Sequence, residues 1–218
     1  KILTVTILSA LFLTSCQERA SKNAENTAQI DTSMEVEKWK KELLESKKIG
    51  ESCNYDTSSS KNSVSAQSDI WSEKNKGLSD GLPKDSDIKT ESSDFDMDGK
   101  QDLLMYFTAE NCSMHNGGVP SFAKIVYANG TTNNELMSDI KQAIISQYNE
   151  NKKTDPELKE VGDNFFDENL SISYDNGVNG SFSLYGKEDA HCCPSYEGTY
   201  KYDLKTKKIE IVVQEIMK

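Results

Sequence analysis

Arginine is almost missing from this 218-residue chain: Arg19 is the only one, and the formal net charge is −11. So acidic a body repels phosphate backbones, which argues against nucleic acid as a partner and against an electrostatic grip on anionic lipid. The charge serves solubility and attracts cations. Histidine is scarce as well, with only His115 and His191, so catalytic triads have few ways to form. The chain has no G-x-S-x-G elbow and no H-E-x-x-H pattern. Gly180 to Lys187 imitates a phosphate loop, but five residues separate Gly180 from Gly186 where four are required, and Glu188 stands where Ser or Thr belongs. That stretch reads as a hairpin. With 35% hydrophobic and 28% charged side chains, the composition suits one globular domain of α+β class plus some unstructured length.

The longest apolar run lies at the N-terminus, "KILTVTILSALFLTSC". Ile2 to Leu13 is too short to span a bilayer, which takes about 20 residues, and long enough for the core of an export signal. Leu13-Thr14-Ser15-Cys16 resembles the lipobox of bacterial lipoproteins. That resemblance implies cleavage before Cys16, acylation of its sulfur and new amino terminus (palmitate among the chains), and a place in the bacterial cell envelope, periplasmic or surface-exposed. Several acyl chains hold a protein on the membrane far more firmly than one. Loss of residues 1–15 removes Lys1 and takes the formal charge from −11 to −12. Residues 16–32 are polar and read as a disordered tether, leaving 33–218 as a single α+β domain.

Setting Cys16 aside leaves Cys53, Cys112, Cys192 and Cys193, an even number that in an exported chain favours two disulfides. Adjacent cysteines close a strained ring if bonded to each other. The expectation is therefore that Cys192 and Cys193 each take one of Cys53 and Cys112, with the assignment open.

A capping-box relation between Thr32 and Glu35, apolar Val36, Trp39 and Leu43 on one face, and Lys47 and Lys48 before Gly50 predict an N-terminal amphipathic helix. The Ser-rich stretch 57–68 reads as a loop, and 69–89 as turn-rich with Trp71, Leu78 and Leu82 touching the core. "DLLMYFTA" and "FAKIVYA" read as strands, and Leu136, Ile140, Ile144 and Tyr148 mark a helix over 134–150. Two strands joined at Asp175-Asn176-Gly177 or nearby Asn179-Gly180, and a terminal hairpin turning at Lys205 to Lys207, follow. Together these predict a twisted antiparallel sheet with the N-terminal helix and one further helix packed on one side of it.

"DFDMDGKQDLL" carries the clearest chemical signal. Asp94, Asp96 and Asp98 converge on one centre only if the chain coils tightly, which Gly99 permits. Such a cluster repels itself unless a cation sits within it, and hard oxygen ligands suit Ca²⁺ better than Zn²⁺. The spacing departs from an EF-hand, because Met105 occupies the twelfth place and a strand follows instead of a helix. D-x-D-x-D-G-x-x-D running into an apolar strand resembles the calcium loops of FG-GAP and VCBS-type repeats, and less closely those of dockerins. The resemblance covers about a dozen residues and implies Asp94, Asp96, Asp98, Asp102 and the Lys100 carbonyl as ligands. Those families repeat the loop, whereas this chain has one copy, so neither a propeller nor an adhesive role follows.

"KEDAHCCPSYEG" is the other unusual stretch. His191, Cys192 and Cys193 with Cys112 and His115 offer zinc-type ligands, while an oxidising compartment favours disulfides. "HCCPS" resembles a segment of small uncharacterised bacterial lipoproteins, which supplies no function. Glu188 and Asp189 form an acidic pair of the kind that does acid/base work, equally consistent with a solvated turn. The leading expectation is a non-catalytic, lipid-anchored envelope protein with a structural calcium loop, joined to the membrane through Cys16 and binding an unidentified protein or glycan. Tyr185, Tyr196, Tyr200 and Tyr202 lie on strand-like segments and would support a contact face if exposed, although most aromatic residues at such spacing belong to a core. The competing class is an enzyme or thiol-metal protein centred on His191, Cys192 and Cys193; an inhibitor or immunity-type protein shares the features of the first.

Overall fold

The computed structural model describes residues 30–53, 55, 64–115, 118–155, 158–161, 169–187, 189–190 and 193–216. Cys16, the export signal, most of the tether, His191, Cys192 and Glu188 lie outside these residues. The fold is α+β, with three α-helices among the described residues: α1 (Thr32–Glu45), α2 (Val64–Lys74) and α3 (Leu136–Thr154). None of them is long and apolar enough to cross a membrane.

The strands divide into two four-stranded antiparallel sheets. The first runs β2 (Lys89–Ser93), β3 (Asp102–Thr108), β5 (Ser121–Val126) and β6 (Thr132–Asn133) in that order. The second runs β10 (Ile209–Glu215), β9 (Tyr196–Tyr202), β8 (Val178–Leu184) and β7 (Ser173–Tyr174). A small ribbon pairs β1 (Asp80–Gly81) with β4 (Glu110–Asn111).

The expected helices do not share one side. Pairing of β3 with β5 puts Leu103, Met105 and Phe107 on one face and Leu104 and Tyr106 on the other. The first set packs with Trp39 and Leu43 of α1, Ile49, Leu82 and Ile88. The second packs with Ile140, Ile144 and Tyr148 of α3 and with Phe182, Leu184, Tyr196 and Tyr200 of the second sheet. The helix α1 thus covers one face of the first sheet and α3 fills the space between the two sheets. Side chains such as Leu104 and Ile140, fully buried, each contribute on the order of 2 kcal/mol through burial.

Two local expectations shift. Asp31, not Thr32, caps α1, its carboxylate accepting from the Met34 amide at 3.0 Å. The helix ends with Lys47 in a left-handed conformation (φ 53°), earlier than Gly50. The stretch expected to be a loop and then turns contains α2 from Val64 onward. Its helix is weakly amphipathic and tertiary bonds hold it: Ser68 Oγ donates to the Cys112 carbonyl at 3.0 Å and Trp71 Nε1 to the Glu51 carbonyl at 2.9 Å. Of the two places the sequence offers for the first hairpin turn, the chain uses 175–177, and the terminal hairpin turns within 203–208.

Lys124 is the polar member of the α1 face. It pairs across the ladder with Met105 and is 2% exposed, and its ammonium donates to Glu42 of α1 at 2.6 Å. Removing only the carboxylate leaves a desolvated charge, whereas removing the charge itself does not. Glu42→Gln is therefore expected to destabilise the protein by about 2 kcal/mol, and Lys124→Met to stay within about 1 kcal/mol of the parent, as read from urea denaturation.

Candidate metal centre

The acidic loop closes the hairpin between β2 and β3. Met97 (φ 64°) and Gly99 (φ 86°) both take left-handed backbone, so the tight coil needs a second unusual residue beside the glycine. Carboxylate oxygens then turn inward onto backbone amides. Asp94 Oδ1 accepts from the Asp98 amide at 3.1 Å and Asp94 Oδ2 from Gly99 at 3.0 Å, while Asp96 Oδ1 accepts from Asp98 at 3.2 Å.

One carboxylate oxygen from each of Asp94, Asp96 and Asp102 lies within 4.8 Å of the others. Asp98 does not join that group: its carboxylate accepts from the Lys100 amide at 2.8 Å and lies 4.0 Å from the Lys100 ammonium. The three convergent donors are all hard oxygens, with no imidazole or thiolate among them, and such a set fits a divalent cation of the calcium or magnesium kind. A bound cation would offset the mutual repulsion of the carboxylates. Its chemistry there would be coordination alone.

Asp102 has a second task that spacing does not reveal. It is 1% exposed, and both oxygens are engaged: Oδ2 accepts from the Phe95 amide at 2.8 Å and Oδ1 from the Ala128 amide at 2.9 Å. One side chain therefore ties the acidic loop to the segment after β5. Tyr127 looks onto the same place. Burial raises its hydroxyl pKa first, and the charges of Asp102, Asp96 and Asp139 raise it further. Asp139, in the first turn of α3, thus belongs to the electrostatic surroundings of the loop. No sequence signal links it to a motif some forty residues earlier.

A second cluster, Cys53, Glu110 and Cys112, resolves the cysteine question for two of the four. Cys53 and Cys112 are bonded to each other, with Cα atoms 5.2 Å apart. Neither is therefore the partner expected for Cys192 or Cys193. The reason is a close approach: Gly50 bridges Gly81, β1 pairs with β4, and Cys112 directly follows β4. A Cβ on Gly81 would collide with both the Glu51 carbonyl and the Cys112 sulfur. Closing this loop, with a sequence separation of 59, contributes about 4 kcal/mol in the chain-entropy account. Glu110 sits beside the bond and accepts from the Cys53 amide at 3.3 Å.

The disulfide also removes Cys112 from the expected zinc set. His115 instead faces Asp80, with Nε2 3.1 Å from the carboxylate. Of the acidic pair, Asp189 organises its own loop, accepting from the Gly186 amide at 2.7 Å and the Ser195 hydroxyl at 3.0 Å. The proposed tyrosine face is absent: Tyr185, Tyr196, Tyr200 and Tyr202 are all buried. Cys193 is exposed.

Comparison with protein families, curated proteins and solved structures finds no match to this chain.

Asp102 and Asp96 are expected to separate in chelator. Asp102→Ala loses two charge-assisted bonds, one to the buried Phe95 amide and one to the part-buried Ala128 amide, and should cost about 3 kcal/mol without any metal. Asp96→Ala, at an exposed position, should cost less than about 0.5 kcal/mol under the same conditions. Urea denaturation in the presence of chelator measures both.

Proposed function

We propose that this chain is a non-catalytic, lipid-anchored protein of the bacterial cell envelope, whose acidic β2–β3 loop holds a structural calcium ion. Its folded domain serves as a binding module for a protein or glycan. The observation that carries the reading is the convergence of Asp94, Asp96 and Asp102 at the start of β3, the most buried strand of the first sheet. A cation at that position would fasten the loop to the core without exposing a reactive centre. Asp98 and the Lys100 carbonyl complete the ligand set that the resemblance to FG-GAP and VCBS-type loops implies, by a local turn of the 96–100 backbone.

Two further features support the reading. The Cys53–Cys112 disulfide suits an oxidising compartment. The LTSC sequence before and at Cys16 supplies the anchor, so membrane attachment asks nothing of the domain's surface.

Calcium is tested by melting the detergent-solubilised full chain while titrating calcium against chelator. At a dissociation constant of about 0.1 mM, about 1 mM calcium adds roughly 1.4 kcal/mol, a rise of about 4 °C in Tm. The rise should saturate, and should vanish in Asp96→Ala/Asp98→Ala. A melt indifferent to calcium reduces the loop to an acidic turn. The anchor is tested separately: cells fed labelled palmitate should label this protein, and Cys16→Ala should abolish the label.

A further inference from the structure

The outer face of the second sheet carries a cavity that the metal reading leaves unused. Strand register sets its floor. Ser181, Thr199 and Val212 stand side by side across β8, β9 and β10, and Ser183, Glu197 and Gln214 form the next row. Both rows point away from the core, because Phe182, Leu184, Tyr196 and Tyr200 at the alternate positions are buried in it. Residues 169–171 and the paired ends of β3 and β5, Thr108 and Ser121, complete the walls around about 600 Å³. Small-molecule sites commonly occupy about 300–1,000 Å³.

Eight of the fourteen lining residues carry a hydroxyl or carboxamide, while Val119, Leu170, Phe182 and Val212 are apolar and the open surface is more apolar than polar. Among the described residues Glu197 is the one charged group in the lining, with no Lys, Arg or His. The wall groups are already bonded: Thr108 Oγ1 lies 3.1 Å from Ser121 Oγ, Ser171 Oγ lies 2.8 Å from Ser181 Oγ of the floor, and Asn169 Nδ2 donates to the Tyr185 hydroxyl behind the wall at 2.9 Å. The rest of the floor differs. Among the described residues the side chains of Ser183, Glu197, Thr199 and Gln214 have no hydrogen-bond or ion-pair partner. Fixed walls and an unspent floor are the arrangement of a site that bonds a ligand through its floor.

We propose that this cavity binds a neutral saccharide of one or two rings, a reading that rests on the binding-module assignment and gives it a ligand class. Sugar hydroxyls donate and accept, which matches Ser, Thr, Asn and Gln side chains that do the same. A carboxylate accepts from two neighbouring hydroxyls at once, the task left to Glu197. Val212, 63% exposed, offers an apolar contact for the C–H face of a ring. An anionic ligand would meet Glu197 and a chain of net charge −11, with no cation among the described lining residues to receive it. A cationic ligand would use one carboxylate and leave two rows of hydroxyl and amide groups idle.

The test is calorimetric titration of the full chain with maltose, cellobiose and diacetylchitobiose, beside glucuronate and tetralysine. At least one neutral disaccharide should bind with a dissociation constant of about 1 mM or tighter. Glu197→Gln and Thr199→Val, both at exposed positions, should each weaken it about tenfold while leaving Tm unchanged. Lys141→Ala, in the neighbouring groove between α1 and α3 that meets this cavity only at Ser121 and Leu170, should leave it intact. The proposal is overturned by no neutral-sugar binding at about 10 mM, by binding indifferent to both floor substitutions, or by tighter tetralysine binding that Glu197→Gln abolishes. Titrations run in calcium and in chelator keep the two sites apart, since the acidic loop contributes nothing to the cavity. Calcium-dependent melting without sugar binding removes the saccharide site alone; sugar binding without calcium-dependent melting removes the metal alone.

Discussion

Burial of β3 on both faces is the constraint from which the remaining architecture follows. Asp102 to Phe107 are all buried, and an antiparallel strand without a solvent face needs cover above and below. On one side the cover is α1 together with Ile49, Leu82 and Ile88; on the other it is α3 backed by the second sheet. The chain must therefore send helices to opposite faces of one sheet. It must also answer any polar group that the ladder places inside. Lys124 is such a group, and Glu42, one residue before the buried Leu43, turns its neutralisation into a fixed rotation of α1 about its own axis.

The flank of the first core is built by covalent and tertiary means instead of local propensity. The helix α2 buries only Ser68 and Trp71, too little for an isolated helix of eleven residues to persist in water. Its contacts go to Glu51 and to Cys112, the two segments that the disulfide and the Gly50–Gly81 bridge bring together. Crosslink, bridge and helix thus form one dependent unit. A side chain at position 81 would press on the Glu51 carbonyl that α2 bonds and on the Cys112 sulfur of the crosslink.

What the sequence disclosed follows the same division between local and distant causes. The helix α3 was legible because Leu136, Ile140, Ile144 and Tyr148 repeat at one helical face and all four are buried there. The hairpins were legible because their turns are local. The helix α2 was hidden in a serine-rich run because its reason for existing lies at Glu51 and Cys112. Cysteine pairing was misjudged for a similar reason: counting exposes parity, while the partner is chosen by how β1 meets β4. Alternation could not tell which face of the second sheet meets the core, so the tyrosines of β9 that suggested a contact surface turned out to be its filling. At the acidic loop the convergence of Asp94 and Asp96 was legible from spacing. The double engagement of Asp102 by Phe95 and Ala128 was not, because Ala128 lies after the next strand of the sheet.

The two proposed sites stand at opposite ends of β3, and that placement limits how one can influence the other. Asp102 opens the strand and Thr108 closes it, seven residues in all, a span of about 20 Å at strand rise. Charges that far apart are separated by more than two screening lengths, each about 8 Å at physiological ionic strength, so a cation in the loop would exert little field at the cavity. Coupling between sites also requires an element with two arrangements that both ligands bias differently. The strand between them is packed on both faces and paired on both edges, which leaves it one arrangement. A calcium ion held at Asp102 would therefore support ligand binding by keeping β3 and its neighbours folded, not by altering the shape of the cavity.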